Sequence, residues 1–354
     1  MAARVRGWVL AAAVGLAVTG PVLAQDSPPV GPAAIAAAPG DPAPATLSVM
    51  TYNIEGLPWP IRAGRAGAAG RIAAQLRAMR AEGTQPHVVA LQEAFGHAQH
   101  RIGQEAGYPY VAFGPDRHAR NDEAADPADR AFAAGAHRLK GENDGKWAGS
   151  GLAILSDYPI LSVAREPFPA SACAGLDCLA NKGVMIATVA VPGLSRPVAV
   201  VATHMNSKEA SGVAPSRFNQ AFDRQVETVG RFLSDNLDPT LPFVFAGDTN
   251  IGRSPRRAAA FRTMLASLPR AADAGVVRTA LATCLEPEAG CALDQAREVR
   301  RSFALGKDLE VYGPGVAAGL TPVAVSAPFG HDARGHMLSD HIGYTALYRL
   351  AARP

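Results

Sequence analysis

Apolar and polar positions follow two rhythms along this chain. Leu47–Tyr52, Val88–Leu91, Gly151–Leu155, Val184–Val191, Val198–Thr203 and Phe243–Ala246 are short apolar runs, too short for helices and rich in β-branched residues, and they predict strands. Elsewhere the spacing changes. Ile72, Leu76 and Met79, then Phe218, Phe222, Val226, Val229 and Leu233, recur at helical intervals and predict helices with one buried face. Strands alternating with helices imply a layered α/β domain of packed sheets. Residues Pro115–Ala148 break the rhythm, being charged and poor in branched aliphatics, and predict a long surface insertion near the site. No internal repeat is visible.

The N-terminus belongs to neither rhythm. Arg4 and Arg6 precede an apolar stretch from Trp8 to Val18, and Val22-Leu23-Ala24 ends it with small or apolar residues. This is the pattern of a secretory signal peptide over residues 1–24, and the run is shorter than the ~20 residues that span a bilayer. Residues 25–46 are rich in Pro, Ala and Gly and hold no aromatic side chain, so they predict a disordered leader to a catalytic domain at 47–354. Export, to a periplasm or beyond the cell, changes the charge: the chain carries +3, and removal of two arginines leaves +3 − 2 = +1. A near-neutral balance argues against a heavily basic nucleic-acid packager, while 48% hydrophobic residues support a sizeable core. Four cysteines fall into two close pairs, Cys173 with Cys178 and Cys284 with Cys291. Export favours local disulfides; three connectivities, free thiols and a zinc site are the competing readings, and the spacing and the lack of a His cluster disfavour zinc.

Candidate chemistry lies where strands end. Asn53 follows Val49-Met50-Thr51-Tyr52, Glu93 follows Val89-Ala90-Leu91-Gln92, and His204 and Asn206 follow Val200-Val201-Ala202-Thr203. Asp248 and Asn250 follow Phe245-Ala246-Gly247, and Asp340-His341 stands near the C-terminus. Each alone has an ordinary explanation as a solvated strand end or a turn residue. Together they supply hard oxygen ligands, two imidazoles and neutral amides. That set suits phosphate-ester hydrolysis with Mg²⁺, where carboxylates hold the cation, an acid–base pair handles water and leaving group, and amides donate to phosphoryl oxygens.

Met50-Thr51-Tyr52-Asn53-Ile54, Leu91-Gln92-Glu93, Thr203-His204-Met205-Asn206, Gly247-Asp248-Thr249-Asn250 and Ser339-Asp340-His341 stand in the order and relative spacing of a known superfamily. From Leu47 to Leu350 the chain resembles the endonuclease/exonuclease/phosphatase superfamily, which includes deoxyribonuclease-like enzymes, apurinic-site nucleases, inositol-phosphate phosphatases and neutral sphingomyelinases. The resemblance implies a two-layer β-sandwich flanked by helices, α/β/β/α, with the site at one edge. It makes Asn53 and Glu93 the metal end, with Glu93 the principal Mg²⁺ ligand; Mn²⁺ or Ca²⁺ are possible substitutes. His204 would stabilise a phosphoryl oxygen with Asn206 beside it, Asp248 would orient or deprotonate the attacking water, and Asn250 would hold the phosphate. Asp340 would sit near metal or nucleophile, and His341 would be the acid–base or phosphate-stabilising imidazole. Many relatives hold that His with a further Asp, for which Asp308 is the candidate. No Gly-x-Ser-x-Gly elbow suggests a covalent route.

Two features tilt the substrate toward a lipid headgroup at a membrane surface, as in a sphingomyelinase-type phosphodiesterase. Asn181-Lys182-Gly183 resembles a segment of that branch, where Lys182 could approach phosphate, and Leu57-Pro58-Trp59-Pro60 predicts a rigid apolar loop beside the first motif that would meet an apolar substrate or cap the core. A non-specific deoxyribonuclease is the second reading, with Arg253, Arg256 and Arg257 as phosphate contacts. A sugar or inositol phosphatase is the third. A non-catalytic binding module of the same fold is the reading from another class, and no stable protein partner is predicted.

Overall fold

The computed structural model describes residues 45–352 apart from 209, 270–276 and 317; the predicted signal peptide and nearly all of the leader lie outside the described residues. Alternation in the strands decides the architecture. In β1 (Thr46–Asn53), which takes in the last leader residue, Leu47 and Val49 face a second sheet while Met50 and Tyr52 face a helix. β7 (Val198–His204) and β8 (Phe243–Asp248) repeat the pattern, with Val200, Ala202, Val244 and Ala246 turned inward and Val201, Phe243 and Phe245 outward. Strands apolar on both faces need a cover on each side, and two sheets back to back with helices outside provide it.

The first sheet has the order β10 (Ala292–Asp294), β12 (Ala318–Phe329), β13 (Gly343–Ala352), β1, β2 (Val88–Gln92), β4 (Ala153–Ser156), β3 (Tyr110–Phe113). The second runs β5 (Ile160–Pro167), β6 (Gly183–Val189), β7, β8, β11 (Asp308–Gly313), β9 (Arg278–Thr279). Ile72 and Leu76 of α1 (Arg65–Ala81), with α2 (His97–His100) and α3 (Ile102–Ala106), cover the first sheet. Phe222, Val226 and Val229 of α5 (Pro215–Asn236) and Phe261 of α6 (Pro255–Ser267) cover the second. This is the predicted four-layer sandwich. Between the sheets, α7 (Ala280–Leu285) and α8 (Ala296–Leu305) pack against β12.

The predicted insertion carries one helix, α4 (Pro127–Ala134), started by a capping box of Asp126 and Asp129. It is tied down beside the site: Asn181 Nδ2 donates to Asp116 O (2.7 Å), Ala148 bridges Ala180, and Glu142 holds Arg217 of α5 at 2.7 Å. Both local disulfides form, Cys173–Cys178 and Cys284–Cys291, and no free cysteine remains. Among the described residues, no helix is long and apolar enough to cross a membrane.

Candidate functional site

Side-chain parity delivers the site. Counting in twos from the inward residues of β1, β7 and β8 reaches Asn53, His204 and Asp248, the last residue of each strand. The apolar layer between the sheets thus ends in a polar edge. Register adds the neighbours: His204 lies beside Asp248 across the parallel β7/β8 pair, and Asp308 faces Asp248 across the antiparallel β8/β11 pair. Gly247 makes the first pairing possible, because a Cβ there would lie 2.4 Å from Thr203 O. Glu93 and Asn250 follow their strands with φ of 59° and 50°, backbone conformations that non-glycine residues seldom adopt and that re-aim both side chains.

Asn53 Nδ2 donates to Glu93 Oε1 at 2.9 Å and to Asp248 Oδ2 at 3.0 Å, joining the two carboxylates through one amide. Ser339 Oγ donates to Asn53 O (2.6 Å) and accepts from His341 N (3.2 Å), so it fixes the last motif against the first. His341 Nδ1 contacts Asp308 Oδ2 at 2.8 Å, and its Nε2 lies 3.8 Å from Asp248 Oδ2. Lys182 uses three donors, on Asp177 Oδ1 (3.0 Å), His204 Nε2 (3.1 Å) and Met205 O (3.1 Å). A lysine ammonium only donates, so His204 Nε2 accepts and the ring proton sits on Nδ1, which is buried without a partner.

Electrostatics follow from burial and these contacts. Burial holds His204 well below the usual imidazole range, and the nearby Lys182 and His341 add to this, so the ring is neutral. Burial would also lower His341, but Asp308, Asp248 and Asp340 outweigh it and raise it to about 10, an imidazolium. Burial pushes Glu93 up to about 7 against Asn53, Lys182 and His341, and raises Asp248 too.

A divalent cation fits this edge. Glu93 Oε2 is buried with no partner, which is costly for a carboxylate unless a cation meets it. Glu93, with Asn53 alongside, would hold Mg²⁺. A second group, Asp248, Asp308 and His341, also has ligand atoms within 4.8 Å of one another, but there the His341 imidazolium already serves both acids. Glu93 is therefore the better anchor.

Several predicted residues turn out differently. Asn206 is fully buried, its Oδ1 taken by Ala174 N (2.9 Å) and its Nδ2 by Ser207 O (2.7 Å), so it staples two loops where phosphate binding was expected. Asp340 is exposed and reaches the cluster only through space, by its charge on His341 and Tyr52. Lys182 is buried to 6% exposure with its donors engaged inside the protein. Asn250 donates to Met205 O at 2.9 Å through its side chain. Of the three arginines considered for nucleic acid, Arg257 is fully buried, donating to Asn206 O (2.8 Å), Asn250 O (2.9 Å) and Asn219 Oδ1 (3.0 Å), and Arg256 pairs with Asp223. Trp59, by contrast, is 81% exposed and caps no core. Asp177 went unassigned in the sequence; its five-residue spacing ahead of Lys182 was the available signal.

The model of the Endonuclease/Exonuclease/phosphatase family matches residues 50–341. No curated protein sequence matches the chain. Among solved structures, the chain is similar to Staphylococcus aureus beta toxin with bound magnesium ions, with a TM-score of 0.55 and 15% identity over 85% of this chain and 98% of that one. Sphingomyelinase C from Streptomyces griseocarneus gives a TM-score of 0.55 and 21% identity over 85% and 98%. D. rerio TDP2 in complex with a single-strand DNA product gives 0.53 and 16% over 86% and 98%. At these identities the likeness establishes the shared fold.

Proposed function

The chain belongs to the endonuclease/exonuclease/phosphatase family and is a metal-dependent hydrolase of phosphoric esters, and we propose that it is an exported, Mg²⁺-dependent phosphodiesterase acting on a phospholipid headgroup of the sphingomyelin kind. One observation carries the lipid reading. Trp59 and Ile61, 81% and 57% exposed, stand on the loop that leaves Asn53 at the end of β1, so the segment leading out of the proposed metal end turns apolar side chains to solvent. Arg257, which a nucleic-acid reading would want outside, is committed to the interior. The two disulfides support export.

In this reading Glu93, positioned by the Asn53 amide whose oxygen accepts from Glu55 N, would hold Mg²⁺, which would supply charge neutralisation at the phosphoryl oxygens. Asp248, 3.0 Å from Asn53 Nδ2 and beside His204, orients the attacking water and takes up its proton. Neutral His204, with its Nδ1 proton unspent, steadies the phosphoryl oxygens. The His341 imidazolium, fixed by Asp308, stabilises the charge that builds up in the transition state and is the proton source for the leaving oxygen.

The test offers purified protein sphingomyelin vesicles, plasmid DNA, bis-p-nitrophenyl phosphate and p-nitrophenyl phosphate with Mg²⁺. Cleavage of sphingomyelin and of the diester over the monoester is expected. Cleavage of DNA alone overturns the substrate class, and preference for the monoester overturns the diesterase assignment.

A further inference from the structure

The Cys173–Cys178 disulfide closes a short loop that ends at the catalytic edge. Every turn of that loop is bonded to the segment leaving β7 or to the insertion. Ala174 N donates to Asn206 Oδ1 (2.9 Å), Gly175 N to Glu142 Oε1 (2.7 Å) and Leu176 N to Ser211 O (3.0 Å). Gly175, at φ +64°, lies so near that a Cβ would meet Ser211 O at 1.7 Å. Asp177, next to Cys178, accepts from Ser207 N (2.5 Å) with one oxygen and from Lys182 Nζ (3.0 Å) with the other. Lys182 in turn reaches His204 Nε2 at 3.1 Å. The covalent link is thus two bonded steps from an imidazole of the site: Asp177 to Lys182, Lys182 to His204.

The loop's own backbone is a single 3-10 turn, Gly175–Leu179, with no regular helix or strand, so its order rests on those hydrogen bonds to other segments and on the disulfide. Closing it covalently removes unfolded and partly open states, so opening the bond loosens the turn that carries Asp177. Cys173 is part-exposed, and Lys146 Nζ lies 3.9 Å from its sulfur, where a cation stabilises the thiolate formed on reduction. The other disulfide differs: Cys291 touches Pro322 of β12, and Cys284 is packed in the core between the sheets.

We propose that the Cys173–Cys178 disulfide is a positioning element of the catalytic site, holding Lys182 and His204 through Asp177, so that a dithiol reductant reversibly lowers activity. The proposal rests on the phosphoesterase reading above. In the redox step the Cys173–Cys178 S–S bond breaks and a dithiol closes to its own cyclic disulfide. It gives up two electrons, and its two protons end on the cysteine thiols.

The experiment compares wild type, Cys173→Ser/Cys178→Ser and the control Cys284→Ser/Cys291→Ser. It reads kcat and KM on bis-p-nitrophenyl phosphate with Mg²⁺, and amide exchange of peptides covering 172–178 and 203–208. Removing the first pair is expected to lower kcat about ten-fold with a smaller change in KM. Dithiothreitol should take folded wild type to the same rate, with recovery on reoxidation, and the control variant should keep wild-type kcat. Exchange should quicken in both peptides only when the first bond is open. Unchanged kcat in Cys173→Ser/Cys178→Ser overturns the proposal, and so does an equal loss in the control. If that variant does not fold, dithiothreitol on wild type decides. If wild type hydrolyses no phosphodiester, the phosphoesterase reading fails by itself. Exchange then decides the linkage: faster exchange at 203–208 on reduction upholds it, and unchanged exchange refutes it.

Discussion

His341 is held between two carboxylates, with Asp308 on its Nδ1 and Asp248 3.8 Å from its Nε2. A fixed imidazolium can stabilise charge in a transition state only while its anchor keeps the ring oriented. Asp308→Asn is therefore expected to lower kcat by about 10²-fold or more with a near-native circular dichroism spectrum. Asp340→Ala, at an exposed position, should cost far less, and a larger loss there than in Asp308→Asn would reverse the two roles. Glu93 offers a sharper contrast at the same scale. Its Oε2 is buried and unpartnered, so Glu93→Gln should weaken activation by Mg²⁺ about ten-fold or more, read from the Mg²⁺ titration of rate. Only Glu93 follows directly on a strand, β2, while His341 lies in the loop before β13, but the residue types were legible in the sequence for both. Asn206 was not, because a buried amide taken by Ala174 N and Ser207 O has the same local sequence as one aimed at a phosphate.

Elements explain why the edge is rigid. β7 and β8 approach so closely at Gly247 that Gly247→Ala must push Thr203 O aside and disturb the His204–Asp248 pairing. Loss of activity with only a modest fall in melting temperature is the expected result, measured by kcat beside a thermal scan. α6 contributes in a different way. Its Arg257 ties together the carbonyls of Asn206 and Asn250, the two residues that follow the strand-end motifs. Arg257→Met should cost about 3 kcal/mol in urea unfolding, since buried carbonyls lose their donor. A phosphate-binding arginine on the surface would leave stability unchanged. The inner strands announced themselves because they are apolar on both faces. The outlying ones did not: β5 is half-buried or exposed along nearly all its length, and β12 carries prolines and two register shifts, so neither shows a clean period. The Asp308 strand is short and polar at its start, which left only the family pattern to point at it.

At the scale of the molecule, two sheets converge so that one end of their shared apolar layer is polar. The loops around that end are bonded together by the insertion, the Cys173–Cys178 loop and the segment after β7. The four-layer order was legible from alternation and from the resemblance; the way Glu142, Asp177 and Lys182 link distant segments was not, because hydrogen bonds between loops leave no periodic trace. The same end carries the claim that the cluster is a metal-dependent phosphoesterase centre. Its most direct test is the rate of bis-p-nitrophenyl phosphate hydrolysis after EDTA treatment and after Mg²⁺ is restored, in wild type and in Asp248→Asn. Wild type should lose its activity in EDTA and regain it with Mg²⁺, while Asp248→Asn stays at least about 10²-fold slower at every Mg²⁺ concentration. Equal rates in the two proteins, or a wild-type rate indifferent to EDTA, would contradict it.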